Sequence, residues 1–470
     1  MVNVLISLVG SNPIPIYCLN KYLLGDYRTD EELKRIPKPN KLLFVFSEDT
    51  KKYYEGIKER LGDEYKNIIE VCNLKSNQNY ADLIEEQIQT KLDEINKKEK
   101  IETIILNNTG GTKPMAIYST MAVYKFAQKN RNVQEIECYV DPIQNKVRLN
   151  SLLNPEKYNS SNNYLPVDKD LRFYLKDISM EDILVMHGLP LNHYDEGKLL
   201  PNSYEDIKIV SKEEIKNFSH KIISKYWEEY TEFFSTLRKL EDIKKDYEFY
   251  QKALKEYYDV ELGKKINPLS SQKFKEIFSN YLKKEEEKVK EEEKEKSSWL
   301  EDALPSIKDI IKTVTNRDKA EKIYKFLSGT WLEHYLMIAV EEAIEEEGLK
   351  DEIKLYHSFV CYLDENYKKS QFEIDLVALK GYQIIVFTCT TDSTKGLTKS
   401  KSFEGLHRVE QLGGEHAKLC IVNMREGKEE LDRELVGFNS NFYKSKEIIS
   451  REDLKDYDYL VKKLRDILKK

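Results

Sequence analysis

Short apolar runs alternate with amphipathic stretches over the first 150 residues. Val2 to Val9 (VNVLISLV), Leu42 to Phe46 (LLFVF), Ile68 to Val71 and Thr103 to Leu106 have the length and β-branched content of buried strands. Between them, Tyr17 to Leu24, Lys51 to Leu61 and Ala81 to Ile95 carry helical spacing, and Glu135 to Val140 with Lys146 to Leu149 predicts a hairpin around Asp141 and Pro142. Strand and helix in alternation predict a mostly parallel, doubly wound α/β sheet. The loops after its strands gather at one edge, so Ser11 and Asn12, Ser47, and the turn Thr109-Gly110-Gly111-Thr112-Lys113 become neighbours. That turn joins a strand to a helix beginning near Pro114. Two glycines permit close backbone approach, free helix N–H groups suit an anion, and the threonines and Lys113 add hydroxyls and a charge. A glycine turn that caps the helix without any ligand is the structural alternative. Convergence of three polar loops favours a ligand site.

The pattern changes after residue 155. Pro155 to Asn202 reads as a connector with one helix, Ser179 to His187. Lys212 to Leu300 is nearly all helix former, with aromatic residues at Tyr226, Trp227, Tyr230, Phe233 and Phe234 suited to helix packing. Its charge run, Lys283 to Lys296, reads as a solvated helix or linker, and the whole segment as a spacer or dimerisation element. From Leu304 a compact α/β pattern returns. A helix, Phe326 to Glu342, enters through Ser328-Gly329-Thr330 and carries Glu333 on its first turns. Strands follow at His357 to Leu363, Phe372 to Leu379, Ile384 to Thr390 and Leu419 to Asn423, the first two joined by a turn from Asp364 to Ser370. Glu373 and Asp375 fall on one face of the second. Lys401, Glu404, Arg408 and Gln411 share one face of the helix that Gly413 and Gly414 end.

The length of 470 residues predicts two or three domains, set here at residues 1–165, 166–300 and 301–470. Net charge is 76 − 83 = −7, so contact with a polyanion has to be local. Six scattered cysteines with no CxxC pair argue against zinc or a disulfide framework, and His334, His407 and His416 show no ligand spacing. No Walker loop or GxGxxG is present, nor any leader or membrane-length run, so a soluble, cytoplasmic protein is expected.

VGSNPIP, FSEDT, LNNTGGTKPMA and ECYVDP followed by VRL together resemble a CARF domain, the CRISPR-associated Rossmann fold, over residues 1 to 165. The resemblance implies a homodimer that binds cyclic oligoadenylate across its interface, cyclic tetra-adenylate being favoured over cyclic hexa-adenylate. By position it assigns Ser11 and Asn12 to the first ligand loop and Thr109, Gly110, Gly111, Thr112 and Lys113 to the second.

GTWLE, FEIDLVAL and QLGG resemble the PD-(D/E)XK half of CARF nucleases, effectors of type III CRISPR systems. This implies Mg²⁺ or Mn²⁺ held by carboxylates, with a lysine orienting the attacking water on a nucleic-acid substrate. Asp375 is the leading metal ligand and Glu333 a second carboxylate. The chain departs from the pattern where E-x-K belongs, having Thr388-Cys389-Thr390. Either catalysis is lost or the groups have moved, in which case Glu404 replaces the carboxylate and Lys401 the lysine, with Lys399 and Lys395 as rivals. A surface salt-bridge row is the plainer reading of that stripe. The HEPN ribonuclease pattern of arginine and histidine is absent. The reading is a messenger-activated, metal-dependent nuclease whose activation passes through the helical middle. The alternative is a non-catalytic sensor with a degenerate nuclease fold; a ring nuclease that cleaves its own messenger ranks third.

Overall fold

The computed structural model of the chain describes residues 1–26, 28–158, 163–189, 211–232, 299–306, 325–362, 371–414, 417–436 and 446–469. The charge run at 283–296, Phe233 and Phe234, the turn 364–370 and His416 lie outside them.

The first sheet has seven strands. Its parallel part comprises β1 (Val2–Leu8), β2 (Lys41–Phe46), β3 (Ile69–Asn73), β4 (Ile101–Asn107) and β5 (Gln134–Asp141), closed by antiparallel β6 (Lys146–Asn150) and β7 (Tyr164–Leu165). The order β3-β2-β1-β4-β5-β6-β7 places β1 centrally. Its near-continuous apolar run is what burial on both faces requires. On one face α1 (Ile14–Leu24) and α2 (Lys51–Leu61) pack Tyr17, Tyr22 and Ile57 over Leu5, Phe44 and Ile105. On the other, α3 (Ala81–Lys98) and α4 (Lys113–Lys129) pack Ile88, Leu92, Ala122 and Phe126 over Val4, Ile6 and Leu106. The expected Rossmann-like alternation is therefore present, and the helices after β1 and β4 leave to opposite faces. That is the topological switch point at which such sheets open a crevice.

The helix predicted at Ser179 to His187 is α5 (Met180–Met186), capped reciprocally by Ser179 and Asp182. In the middle segment, α6 (Lys212–Ser224) has a capping box from Ser211 and Glu214. Its apolar face joins α7 (Trp331–Glu346) in one buried cluster.

The second sheet, β12-β11-β10-β9-β8, comprises β8 (Ile353–Tyr362), β9 (Gln371–Lys380), β10 (Gln383–Thr390), β11 (Lys418–Asn423) and β12 (Lys446–Ile449). Strands β8 to β10 are antiparallel neighbours and β10 to β12 parallel. Helix α8 (Lys395–Gly413) crosses from β10 to β11, α9 (Lys428–Val436) from β11 to β12, and α10 (Tyr457–Lys469) ends the chain. Strand β8 begins four residues earlier than its apolar run suggested, and the predicted helix at 326 starts as a π-type turn, Phe326–Thr330, before α7. Strand β12 and helix α10 were not expected. The four residues of β12 give too short a period, and α10 is recognisable only from its amphipathic face of Leu460, Val461, Leu464, Ile467 and Leu468.

The two sheets share a core. Tyr356, Val377, Leu379, Tyr382, Ile384, Val386 and Leu412 belong to the same buried cluster as Leu175, Ile178, Met180 and the α1–α2 face of the first sheet. The β9–β10 turn is seated on the N-terminal half. A Cβ at Gly381 (φ 59°) would lie 2.6 Å from the Arg172 carbonyl oxygen, Tyr382 donates its hydroxyl to Asn145 at 3.2 Å, and Arg172 donates to Gln383 at 2.7 Å. Tyr382 and Asn145 join the two sheets directly, while Arg172, Leu175, Ile178 and Met180 of the connector pack beside them.

Candidate functional site

Two sites arise, one at the switch point of the first sheet and one beside β9 of the second. At the switch point the loops after β1 and β4 interlock. A Cβ at Gly110 would lie 2.3 Å from the Leu8 carbonyl oxygen, and one at Gly10 would lie 2.7 Å from the Gly111 amide nitrogen; Gly111 itself has φ 81°. These glycines are required for the loops to pass each other. Thr109 accepts from the Val140 amide at 3.0 Å, and Thr112 caps α4 by accepting from Met115 at 3.3 Å while donating to the Gln78 carbonyl at 3.2 Å. Ser47 is buried and meets Thr50 through its amide and its hydroxyl. Ser11 and Lys113 are exposed.

The same edge holds buried polar atoms with no hydrogen-bond partner within the chain: the Asn107 side-chain nitrogen, the Asn108 side-chain oxygen and the Gln78 side-chain oxygen. Each such group costs about 1–3 kcal/mol when left unpaired, which a polar ligand relieves. None of the three is marked by a motif of its own, although the two asparagines stand directly before the glycine turn. Asn12 points elsewhere. Its side-chain oxygen accepts from the Ile14 amide at 3.3 Å, and its nitrogen donates to the Gly413 carbonyl at 3.3 Å, at the end of α8.

The second site is a small cleft, partly open to solvent, lined by Glu373, Asp375, Thr388, Lys401, Glu404 and Arg408, together with Ile374, Val386 and Gly405. It gathers polar residues that lie on three different elements. Gly405 permits the approach, since a Cβ there already meets Thr388 at 3.3 Å and Leu419 at 3.1 Å. Asp375 accepts a short bond of 2.6 Å from the Cys389 amide. Burial raises its carboxyl to about 6 despite that bond and despite the nearby Lys401. Glu333, at the start of α7, is not in the lining; burial, then the charges of Asp375 and Glu373, hold its carboxyl well above the usual range. Arg408 stacks on the Phe372 ring with its guanidinium carbon 4.3 Å from the centroid, and donates to Gln411 at 3.1 Å. Its Nε is buried without a partner. Lys399 turns away toward Glu434 of α9 at 3.8 Å. Cys389, in the sequence position of the missing E-x-K, is buried on the opposite face with α7.

A hard divalent cation suits this oxygen donor set. The Asp375 carboxylate already takes the Cys389 amide and the Thr388 hydroxyl, and repulsion among the neighbouring acids is the strain a cation would relieve. Among the described residues, however, no three His, Cys, Asp or Glu side chains are already gathered as a ligand set. Glu404 and Glu373, both exposed, have room to swing in.

One feature had no sequence signal. His357 lies with Nε2 3.7 Å from the Glu333 carboxylate and its ring 4.6 Å from that of His334. Next to it in β8, Ser358 adopts φ 46°, opposite Asp375 in the register. His334, expected to be surface or structural, is buried; burial and His357 lower it to about 3. His407 is exposed.

Comparison with known proteins bears on the fold of both halves. The family profile described as the Card1 CARF domain matches residues 28–169. No curated protein sequence matches the chain. The structure is similar to that of protein VC1899 from Vibrio cholerae, at 15% identity and a TM-score of 0.56, with 99% of this chain and 98% of that one covered. It is similar also to Can2 from Sulfobacillus thermosulfidooxidans, whose structure is a complex with cyclic tetra-adenylate, at 14% identity and a TM-score of 0.55, with 98% and 99% covered. No helix among the described residues is long and apolar enough to cross a membrane.

Proposed function

We propose that this chain, which carries a CARF domain of the Card1 type, is a cyclic-oligoadenylate-activated, metal-dependent nuclease of type III CRISPR defence. The observation that carries the enzymatic part is the cleft itself: a half-buried aspartate with a carboxyl raised to about 6 shares it with Lys401, Glu404 and Arg408. These are a metal ligand, a water-orienting amine, a second carboxylate and a phosphate-binding guanidinium. The missing E-x-K is compensated from α8, one element further along the chain.

Asp375, with Glu404 and with Glu333 or Glu373 beyond it, would hold Mg²⁺ or Mn²⁺. The ion supplies a water acidified to near neutrality and a Lewis acid for the phosphoryl oxygen. Lys401, which lines the same cleft, would orient the attacking water and offset the carboxylate charge. Arg408, preorganised by Phe372 and Gln411, is placed to take a non-bridging phosphate oxygen. Thr388 contributes a hydroxyl at the floor. The division into a sensor at 1–165, a helical segment at 166–300 and a nuclease at 301–470 fits this reading.

In the sensor, cyclic tetra-adenylate is the favoured messenger, supported by the likeness in fold to Can2 in complex with that ligand. The unpaired Asn107, Asn108 and Gln78 atoms supply hydrogen-bonding capacity for phosphate and base edges, beside Ser11, Lys113 and the N-terminus of α4. A two-fold messenger calls for a homodimer. Ile117 and Met121, one turn apart on α4 and 56% and 40% exposed, offer an apolar stripe for it. Binding activates only if the messenger prefers the active arrangement, so activity has to depend on the messenger.

The test is cleavage of supercoiled plasmid, single-stranded DNA and single-stranded RNA with Mn²⁺ or Mg²⁺, with and without cyclic tetra-adenylate or hexa-adenylate. Cleavage with one messenger alone, lost in Asp375→Asn, supports the proposal. Tight messenger binding with no cleavage of any substrate would instead favour the non-catalytic sensor.

A further inference from the structure

Asn12 sits in the first messenger loop, yet its side chain faces the other half of the molecule. Its carboxamide nitrogen donates to the Gly413 carbonyl at 3.3 Å. That carbonyl is one of the last four of α8, which have no partner inside the helix. The approach is close on both sides: Gly414 has φ 55°, and a Cβ there would lie 2.2 Å from the Asn12 side-chain nitrogen. Asn12 is also fixed to its own loop through the Ile14 amide. Two residues before it, Gly10 is locked against Gly110 and Gly111 of the second loop. A continuous path therefore runs from the glycine turn, through Gly10 and Asn12, to the C-terminal end of α8. The same helix carries Arg408, Glu404 and Lys401 five to twelve residues back, about 8 to 18 Å along its axis.

We infer that Asn12 is a positioning residue that couples the messenger crevice to the cleavage cleft. Resting on the function proposed above, the inference adds a route: the carboxamide holds the end of α8, so displacement of the first loop by a bound messenger shifts α8 and with it Lys401, Glu404 and Arg408 relative to Asp375. A helix transmits such a shift because its hydrogen-bonded turns move as one body. The route is direct and bypasses the helical middle.

Two variants test it from opposite ends. Asn12→Ser keeps a hydroxyl within reach of the Ile14 amide but is too short to reach Gly413. Gly414→Ala pushes the Asn12 side chain away from a position outside the messenger loops. Messenger affinity is measured by calorimetry with cyclic tetra-adenylate, amide hydrogen exchange is followed over residues 395–413 with and without messenger, and messenger-stimulated cleavage is assayed alongside. Wild type is expected to show messenger-dependent exchange in 395–413. Both variants are expected to bind messenger within roughly threefold of wild type, to lose that exchange response, and to lose roughly 5- to 150-fold in stimulated cleavage, the range of a single coupling contact. Two results overturn the inference. One is an intact exchange response in Asn12→Ser. The other is loss of messenger affinity in Asn12→Ser while Gly414→Ala responds normally, which would make Asn12 a ligand residue. Wild type that fails to bind any cyclic oligoadenylate contradicts the sensor function itself, a different failure that the calorimetry reveals before either variant is compared.

Discussion

The crevice of the first sheet and the cleft of the second are built from different materials. The crevice is backbone and neutral polar groups: interlocked glycines, capped helix ends and amides with unused hydrogen-bonding capacity. The cleft is charge: two further acids and two bases around a half-buried aspartate whose carboxyl burial raises to about 6. A site of the first kind is specified locally, because the steric demand of a turn falls on the residues of that turn. A site of the second kind is specified by convergence, because a carboxylate acts through space and can be supplied from any element that reaches. A lysine and a glutamate can therefore leave β10 for α8 without leaving the cleft, while Gly110 has no substitute elsewhere.

The contrast between the two sites is tested most severely at Asp375. Asp375→Asn keeps shape and the amide contact but removes the charge, and should lower metal-dependent cleavage by roughly 10³-fold or more while leaving messenger affinity unchanged. Comparable cleavage by the two proteins would place the chemistry elsewhere. At the crevice, Gly110→Ala puts a methyl 2.3 Å from the Leu8 carbonyl oxygen, so messenger affinity should fall by roughly 100-fold while metal binding at the cleft persists, as read by calorimetry and Mn²⁺ paramagnetic resonance. The paired change Ile117→Glu and Met121→Glu should shift sedimentation toward monomer and weaken messenger binding together; a variant that stays dimeric would move the interface off α4. Arg408→Lys keeps the charge but not the fork. It should cost roughly 10- to 100-fold in kcat/KM, the worth of a charged hydrogen bond of about 1.5–3 kcal/mol. The smallest effect is that of pH. The Asp375 carboxyl is raised, so protons compete with the cation as pH falls through about 6, and apparent Mn²⁺ affinity should drop by roughly tenfold per unit below that point. An affinity flat from pH 7 to 5 would mean that Asp375 is not a ligand.

The alternating strands and helices of the first sheet were legible because its central strands β1, β2 and β4 are buried on both faces and read as nearly unbroken apolar runs, whereas edge strand β3, half exposed, gave only a short signal. The Thr109 to Lys113 turn was legible because adjacent glycines at a strand–helix junction mark a place where the backbone must pass close to something. The use of its residues was not. Thr109 and Thr112 spend their hydroxyls on Val140 and on the α4 cap, and the unpaired polar atoms belong to Asn107, Asn108 and Gln78. Asn12 read as a ligand residue since it follows β1, but only the packing of two sheets against one another could show Gly413 beside it. In the cleft, the polar stripe of α8 was visible as periodicity, and the structure adds that Lys399 faces α9 while Lys401, Glu404 and Arg408 face β9. His357 carried no signal, being one polar residue within a strand-like run, and Ser358 gives no hint in sequence of its left-handed conformation.

The central claim is that messenger bound at one sheet licenses cleavage at the other. Its most direct measurement is the cleavage rate of purified wild-type protein and of Asp375→Asn with Mn²⁺, with cyclic tetra-adenylate, cyclic hexa-adenylate or neither. Cleavage by wild type with one messenger only, absent from Asp375→Asn although it binds that messenger as tightly, is the predicted result. Cleavage at the same rate without messenger, or none at all by wild type saturated with it, would contradict the claim.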